Sequence, residues 1–159
     1  MNVSELLDRA RRSGVMIATA ESCTGGLMAA RITDIPGSSD VFERGFVTYS
    51  NMSKVDLLGV DAETIARHGA VSQQVAKAMA EGAIKNSQAH VAVSITGVAG
   101  PGDAGRKPEG MVCFGLASVH AGTFTETRRF GAIGRESVRA DSVQHALVLL
   151  DSGIVELLK

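Results

Sequence analysis

The segment Glu21-Ser22-Cys23-Thr24-Gly25-Gly26 brings a hydroxyl, a thiol and two glycines close together. Residues 15–20 before it are typical of a short buried strand, and residues 27–32 after it have the apolar spacing of a helix. The segment is therefore predicted to lie at the carboxyl end of a strand and at the start of a helix. Free backbone N–H groups at such a junction favour an anion, or an oxygen that becomes negative during a reaction.

Ser22 is the first candidate nucleophile, and it needs a base because a free hydroxyl attacks poorly near neutral pH. No histidine lies in a segment typical of a site, and the Gly-x-Ser-x-Gly pattern of the α/β-hydrolases is absent. Lys54 is the more attractive base, with Tyr49 as a relay, since a partly desolvated lysine can lose its proton near neutral pH. The alternative is that Lys54 is an exposed helix residue, and general chemistry favours this alternative.

Cys23 is the competing nucleophile, because a position at a helix N-terminus lowers the pKa of a thiol. Without a nearby histidine, a small buried residue is the favoured interpretation of Cys23, and Cys113 is expected in the core. Glu21 could orient Lys54, bind a ligand hydroxyl or pair with a surface arginine, and the sequence does not decide among these roles.

A glycine-rich loop, 97–105, follows a predicted strand and partly matches two phosphate-binding patterns. The dinucleotide pattern G-x-G-x-x-G requires a helix to start within the loop, whereas residues 106–108 are Arg-Lys-Pro and another strand follows. A Walker A loop requires Lys and Ser or Thr where Asp103-Ala104 stand. Two interpretations are left. The segment is either a flexible loop beside a binding site, whose amides and Lys107 hold a phosphate or ribose, or a mobile connection without a ligand.

Helices and strands alternate along the first part of the chain, and a hairpin follows. Strands are expected near 15–20, 42–49 with a bulge at Gly45, 90–96, 111–119 and 123–130. Helices are expected from Val3 to Ser13-Gly14, from Leu27 to the breaker at 34–37, over 51–58 with Asn51 as cap, over 61–68 with Asp61 as cap, and from Ser72. A last long helix is expected over roughly 135–150, with a partly helical tail to Lys159. This series favours an α/β fold, a three-layer α/β/α sandwich with a mixed sheet.

Three polar segments follow predicted strands: the Ser22 turn, residues 48–51 and the loop after Thr96. Ligands of open α/β sheets bind at the carboxyl ends of the strands, so these segments are expected to converge. Arg135 and Arg139 share one face of the last helix, where solvation is favoured over phosphate binding.

Length and composition limit the class of protein. The 159 residues favour one domain, 1–159, and a net charge of -1 with 4% aromatic residues gives no sign of a nucleic-acid or membrane partner. Two cysteines are too few for a disulfide framework, and no segment is typical of a signal peptide, a membrane span or a metal site. A soluble cytoplasmic protein is expected.

Four ordered segments carry a more specific signal: Thr19-Ala20-Glu21-Ser22-Cys23-Thr24-Gly25-Gly26, Phe42-Glu43-Arg44-Gly45-Phe46-Val47-Thr48-Tyr49-Ser50-Asn51, His68-Gly69-Ala70-Val71-Ser72 and Ser94-Ile95-Thr96-Gly97-Val98-Ala99-Gly100-Pro101. They closely resemble the CinA carboxy-terminal domain family, and the resemblance extends from Ser4 to Leu150. Stand-alone members, called PncC, are nicotinamide-nucleotide amidohydrolases.

The resemblance implies hydrolysis of nicotinamide mononucleotide to nicotinate mononucleotide and ammonia, with no metal or organic cofactor. The amino-terminal domain of full-length CinA proteins has no counterpart in this sequence, which favours the single amidase activity. By the family pattern, the nucleophile is Ser22, with Tyr49 and Lys54 as activating partners and amides near Gly25 and Gly26 as oxyanion donors. The substrate-binding residues expected are Glu21, Thr24, Gly25, Gly26, Asn51, Thr96, Gly97, Gly100 and Lys107.

Two other functions stay open at this level. One is a non-catalytic, nucleotide-binding regulatory domain, in keeping with the competence and DNA-damage associations of the family name. The other is an amidase for a different carboxamide, such as nicotinamide riboside. A homo-oligomer also stays open.

Overall fold

A five-stranded mixed sheet forms the centre of the structure, a computed structural model that describes residues 1–159. The strand order is β2-β1-β3-β4-β5. Strand β1 is parallel to both β2 and β3, whereas β4 is antiparallel to β3 and β5 is antiparallel to β4. The strands are β1 Ile17–Glu21, β2 Phe42–Val47, β3 Val91–Gly97, β4 Met111–Ser118 and β5 Phe124–Arg129.

Helices cover both faces of the sheet. They are α1 Val3–Ser13, α2 Leu27–Thr33, α3 Asn51–Leu58, α4 Ala62–His68, α5 Gln73–Lys85 and α6 Arg135–Leu157, with one short 3-10 turn at Ser38–Asp40. Helices α1, α2 and α6 share one apolar cluster with the sheet, and α3, α4 and α5 share the other. The prediction of a three-layer α/β/α sandwich is therefore confirmed. None of the helices is both long and apolar enough to cross a bilayer.

The alternation of side-chain size along the central strands explains why the two layers pack differently. Ile17, Val91 and Val93 point to the layer that contains α6, whereas Ala18 and Ala92 point to the layer that contains α5. Small side chains on that second face let the backbone of α5 approach the sheet closely.

The position of Gly115 on β4 shows how close this approach is. A Cβ atom at Gly115 would lie 2.5 Å from the carbonyl oxygen of Ala76 and 2.6 Å from Ser94 Oγ. The Ser94 hydroxyl itself donates to that Ala76 carbonyl oxygen at 2.6 Å. Helix α5 therefore rests directly on β3 and β4.

Most element limits agree with the sequence prediction, but two details differ. The cap of α3 is Ser50 rather than Asn51, because Ser50 and Ser53 form a reciprocal capping box. The irregularity in β2 lies between Phe42 and Arg44, and Gly45 pairs regularly with Thr19. Helix α6 continues to Leu157, in agreement with the prediction that the tail after residue 150 is partly helical.

The topology brings the three polar segments together, as predicted. Strand β1 lies between β2 and β3, and Glu21 at its end pairs with Val47 of β2 and Ile95 of β3. The turn after β1, the loop after β2 and the loop after β3 therefore leave the sheet at one edge. The candidate site lies at this edge.

Candidate active site

Ser22 and Lys54 form a direct contact at the end of β1. Lys54 Nζ lies 2.9 Å from Ser22 Oγ, and the Ser22 N–H donates to the Ile95 carbonyl oxygen at 2.9 Å, which anchors the turn to β3. Only 1% of Lys54 is exposed, so its interpretation as an exposed helix residue is wrong. Helix α3 packs on α5 and directs its single lysine inward, over the end of the sheet.

The surroundings of Lys54 favour its neutral amine. Its other contacts are the carbonyl oxygens of Thr48 at 2.6 Å and, more weakly, Ser50 at 3.5 Å, and no carboxylate pairs with it. Burial lowers the pKa of Lys54 below its usual 10.5, with only a small opposing effect from Cys23. A neutral amine has two hydrogens for the two carbonyls and one lone pair. That lone pair is then available to accept the proton of Ser22.

Tyr49 does not lie between the serine and the lysine. Its side chain is 60% exposed, and its hydroxyl accepts a hydrogen bond from Arg135 Nη2 at 2.6 Å. Lys54 contacts Ser22 directly, so of the two routes that the sequence left open, direct transfer or a relay through Tyr49, the geometry favours direct transfer. Arg135 also donates from Nη1 to the Gly100 carbonyl oxygen at 2.6 Å, so it links the loop after β2 to the loop after β3.

Cys23 is a small buried side chain, which is the interpretation that the sequence favoured. Burial raises the pKa of the Cys23 thiol to about 11, and its own backbone N–H and the nearby charges of Arg139 and Lys54 only partly offset this effect. The thiolate is therefore scarce at neutral pH. The alternative, a thiol with a lowered pKa at the helix start, is wrong because the side chain is buried. Cys113 is buried in the core, as expected.

A cavity of about 380 Å³ opens beside the Ser22–Lys54 contact, within the size range of small-ligand pockets. Seven of the predicted site residues line it: Ser22, Tyr49, Asn51, Lys54, Thr96, Gly97 and Gly100. The lining also includes Cys23, Ala70, Val71, Val98, Ala99, Pro101, Gly102, Asp103, Ala104 and Arg135.

Five predicted substrate-binding residues lie outside this cavity: Glu21, Thr24, Gly25, Gly26 and Lys107. Glu21 is fully buried, and its carboxylate accepts from the N–H groups of Met28 at 2.8 Å and Ala29 at 3.1 Å. It therefore caps α2 and cannot orient Lys54, bind a ligand hydroxyl or pair with a surface arginine.

The turn from β1 into α2 explains the position of the next three residues. Thr24 is fully buried, with no hydrogen-bond partner for its hydroxyl. Gly25 and Gly26 have φ of 56° and 103°, a left-handed conformation that turns the chain into α2. Their role is to shape the turn. Lys107 pairs through its backbone with Ala104, at 2.9 Å in both directions, at the far side of the glycine loop.

Two carboxylates form hydrogen bonds to the backbone in and next to the glycine loop. Glu109 Oε1 accepts from the Gly102 N–H at 2.9 Å, and Asp103 Oδ1 accepts from the Glu109 N–H at 2.8 Å. These two carboxylates brace the loop from either end. The loop therefore forms a defined wall of the cavity.

Two backbone amides beside Ser22 have no acceptor within the protein, those of Cys23 and Thr24. The Gly25 amide, which the sequence suggested as an oxyanion donor, is already used because it donates to the Ser22 carbonyl oxygen at 3.0 Å. The Gly26 amide, the other suggested donor, is also unpaired, but Gly26 does not line the cavity. No group of three or more His, Cys, Asp or Glu side chains is arranged to hold a metal ion.

Arg135 lines the cavity, although the sequence analysis assigned it to solvation. It lies at the first position of α6, more than eighty residues after Tyr49, its partner. No local pattern distinguishes Arg135 from the other arginines of the chain. The Glu21 cap, in contrast, had a signal, because an acidic residue near a predicted helix N-terminus is a common capping arrangement.

The fold and the site define an α/β protein with a buried Ser–Lys pair where three parallel strands end. Residues 2–154 match the family model of the CinA C-terminal domain, and the chain belongs to this family. It is 47% identical over 152 residues to the nicotinamide-nucleotide amidohydrolase PncC of Escherichia coli (strain K12), covering 94% of this chain and 92% of that one.

Other relatives are longer or have been solved as structures. A CinA-like protein of Chlorobium phaeobacteroides is 55% identical over 139 residues, covering 86% of this chain and 32% of that protein. The chain thus spans about a third of the length of such CinA-like relatives. The crystal structure of a competence/damage inducible protein from Agrobacterium tumefaciens has a TM-score of 0.88 at 44% identity, covering 94% of each chain.

Proposed function

We propose that this protein is an amidase that hydrolyses nicotinamide mononucleotide to nicotinate mononucleotide and ammonia. The observation that carries the proposal is the buried contact of 2.9 Å between Lys54 Nζ and Ser22 Oγ at the wall of an open cavity. The name of the similar PncC protein of Escherichia coli supports the choice of substrate.

The proposed reaction is acyl transfer through a serine ester. Ser22 Oγ attacks the carboxamide carbon while the neutral amine of Lys54 takes the hydroxyl proton. The Lys54 ammonium then gives this proton to the departing nitrogen, and ammonia leaves. Water attacks the ester carbonyl with Lys54 again as base, which releases the nicotinate product and restores Ser22.

The unpaired N–H group of Cys23, which lines the cavity, is the proposed oxyanion donor. It is adjacent to the nucleophile, where the carbonyl oxygen becomes negative as Ser22 attacks. A donor in such a position is commonly worth about 3 to 4 kcal/mol of transition-state stabilisation. The positive pyridinium ring of the substrate withdraws electrons from the same carbonyl and makes it a better electrophile.

Arg135 is the proposed partner of the substrate phosphate. Its two hydrogen bonds go to neutral oxygens, of Tyr49 and Gly100, so no carboxylate compensates its charge. A guanidinium whose charge no carboxylate compensates favours a phosphate, which accepts two parallel hydrogen bonds from it. The distance from Ser22 to Arg135 then sets the length of the nucleotide that fits.

The test is an assay of ammonia release from nicotinamide mononucleotide by the purified protein. We expect turnover by the wild type, loss of turnover in Ser22→Ala, and wild-type rates in Ser13→Ala, which removes an exposed hydroxyl at the end of α1. Full activity of Ser22→Ala would refute the nucleophile. Nucleotide binding without turnover by the wild type would instead support a regulatory domain, and equal rates on nicotinamide riboside would refute the phosphate contact.

A further inference from the structure

Arg139, in the second turn of α6, is bonded to the turn that follows the nucleophile. Its Nε donates to the Cys23 carbonyl oxygen and its Nη2 to the Thr24 carbonyl oxygen, both at 3.1 Å. The Thr24 oxygen also accepts from the Leu27 N–H at 2.9 Å, whereas the Cys23 oxygen has no other donor. One planar guanidinium therefore holds two successive peptide groups.

The first of these peptides determines the direction of the Thr24 amide. In a planar trans peptide, the carbonyl of one residue and the N–H of the next point in opposite directions. The Cys23 carbonyl points to Arg139, so the Thr24 N–H points away from α6. That N–H has no acceptor in the protein.

The second peptide controls the Cys23 amide through one further hydrogen bond. The Thr24 carbonyl is held by Arg139, which orients the N–H of Gly25 in the same peptide. That N–H donates to the Ser22 carbonyl oxygen at 3.0 Å, and the Ser22 carbonyl shares its peptide with the Cys23 N–H. The direction of both unpaired amides is thus set, in steps, by a single side chain.

We propose that Arg139 is a positioning residue that orients the Cys23 amide as an oxyanion donor at the wall of the cavity. This inference rests on the amidase activity proposed above. Arg139 contacts neither Ser22 Oγ nor Lys54 Nζ, and it does not line the cavity. It therefore acts on the transition state through the backbone and leaves substrate binding and the Ser–Lys pair unchanged.

The experiment compares Arg139→Ala with the wild type and with Arg129→Gln, which changes an exposed arginine at the end of β5 that forms no ion pair. We expect kcat of Arg139→Ala to fall on the order of 100-fold, as for loss of one oxyanion donor. We expect KM to stay within about threefold of the wild-type value, because the interaction is made in the transition state. The pH at which activity rises should not move.

Two further measurements separate positioning from a merely structural role. Methylguanidinium added to Arg139→Ala should restore part of kcat, whereas methylammonium should not. A pyridine boronic acid, which forms a tetrahedral adduct with serine, should lose affinity for the variant in proportion to the fall in kcat/KM. If Arg139→Ala does not fold, Arg139→Lys replaces it, since one ammonium cannot reproduce two parallel N–H bonds.

The outcomes distinguish this inference from the proposed function. Wild-type kcat in the Arg139 variants, or a higher KM at unchanged kcat, would overturn the positioning role while the amidase activity stands. Loss of kcat without rescue by methylguanidinium and without loss of boronic acid affinity would also overturn it. A wild-type protein that releases no ammonia from the nucleotide would overturn the proposed function itself.

Discussion

Replacing Lys54 by methionine is the most direct test of the proposed chemistry, because it removes the amine but keeps most of the side-chain volume. Lys54 Nζ is the single side-chain group within hydrogen-bond distance of Ser22 Oγ. The variant should therefore lose the whole contribution of general base catalysis, about 10² to 10⁴ in kcat/KM. This corresponds to about 3 to 5 kcal/mol of transition-state stabilisation.

The pH dependence supplies a second, independent measurement on the same variant. The neutral amine is the active form, so wild-type activity should rise with pH through the lowered pKa of Lys54, at a pH below 10.5. Lys54→Met should lack this rise. Lys77→Met, an exposed lysine on α5, is the matched control and should keep both the rate and the rise.

The ionisation of Lys54 should also make the free energy of unfolding depend on pH, in a direction that follows from the lowered pKa. Because the folded pKa of Lys54 is below the unfolded value, the unfolded chain binds more protons between these two pKa values. The contribution of Lys54 to stability therefore increases with pH across that interval, as the cost of burying an ammonium disappears. Lys54→Met should abolish this contribution. Activity of Lys54→Met within tenfold of the wild type, with the rise at high pH intact, would refute the reasoning.

Two other predictions concern the neighbours of the site and the packing below it. Cys23→Ala should keep ammonia release within about threefold of the wild type, because a thiol with a pKa of about 11 supplies little thiolate at neutral pH. A loss as large as that of Ser22→Ala would make Cys23 the nucleophile. Gly115→Ala should lower the free energy of unfolding by about 1 to 3 kcal/mol in urea titrations, since its Cβ would lie 2.5 Å from the Ala76 carbonyl oxygen. Unchanged stability of Gly115→Ala would show that α5 can move away from the sheet.

Local patterns were sufficient for most of the secondary structure. Helix α5 begins after Ser72, and α1 ends at Ser13 before Gly14, where capping residues and apolar spacing indicated these limits. The errors are also local. Either Ser50 or Asn51 is an acceptable cap by residue type, and the reciprocal bond with Ser53 decides in favour of Ser50.

The candidate site, too, could be predicted from the sequence only in part. The Ser22 turn and the loop after Thr96 could be placed at one edge of the sheet, because parallel strands present their carboxyl ends together. The contacts across this edge could not be predicted. Arg135 reaches Tyr49, and Arg139 reaches the Ser22 turn, over more than eighty residues of chain, and neither arginine stands out in the sequence.

By itself, the sequence determined a layered α/β architecture and a serine at a strand-to-helix turn, since both depend on periodicity and on residue types close together along the chain. The lowered pKa of Lys54, the high pKa of Cys23 and the direction of the free amides were decided by tertiary structure alone. Burial lowers the pKa of Lys54 and raises that of Cys23, and packing of α6 places Arg139 on the turn. Ionisation and peptide orientation respond to the surrounding atoms, and here distant segments supply those atoms.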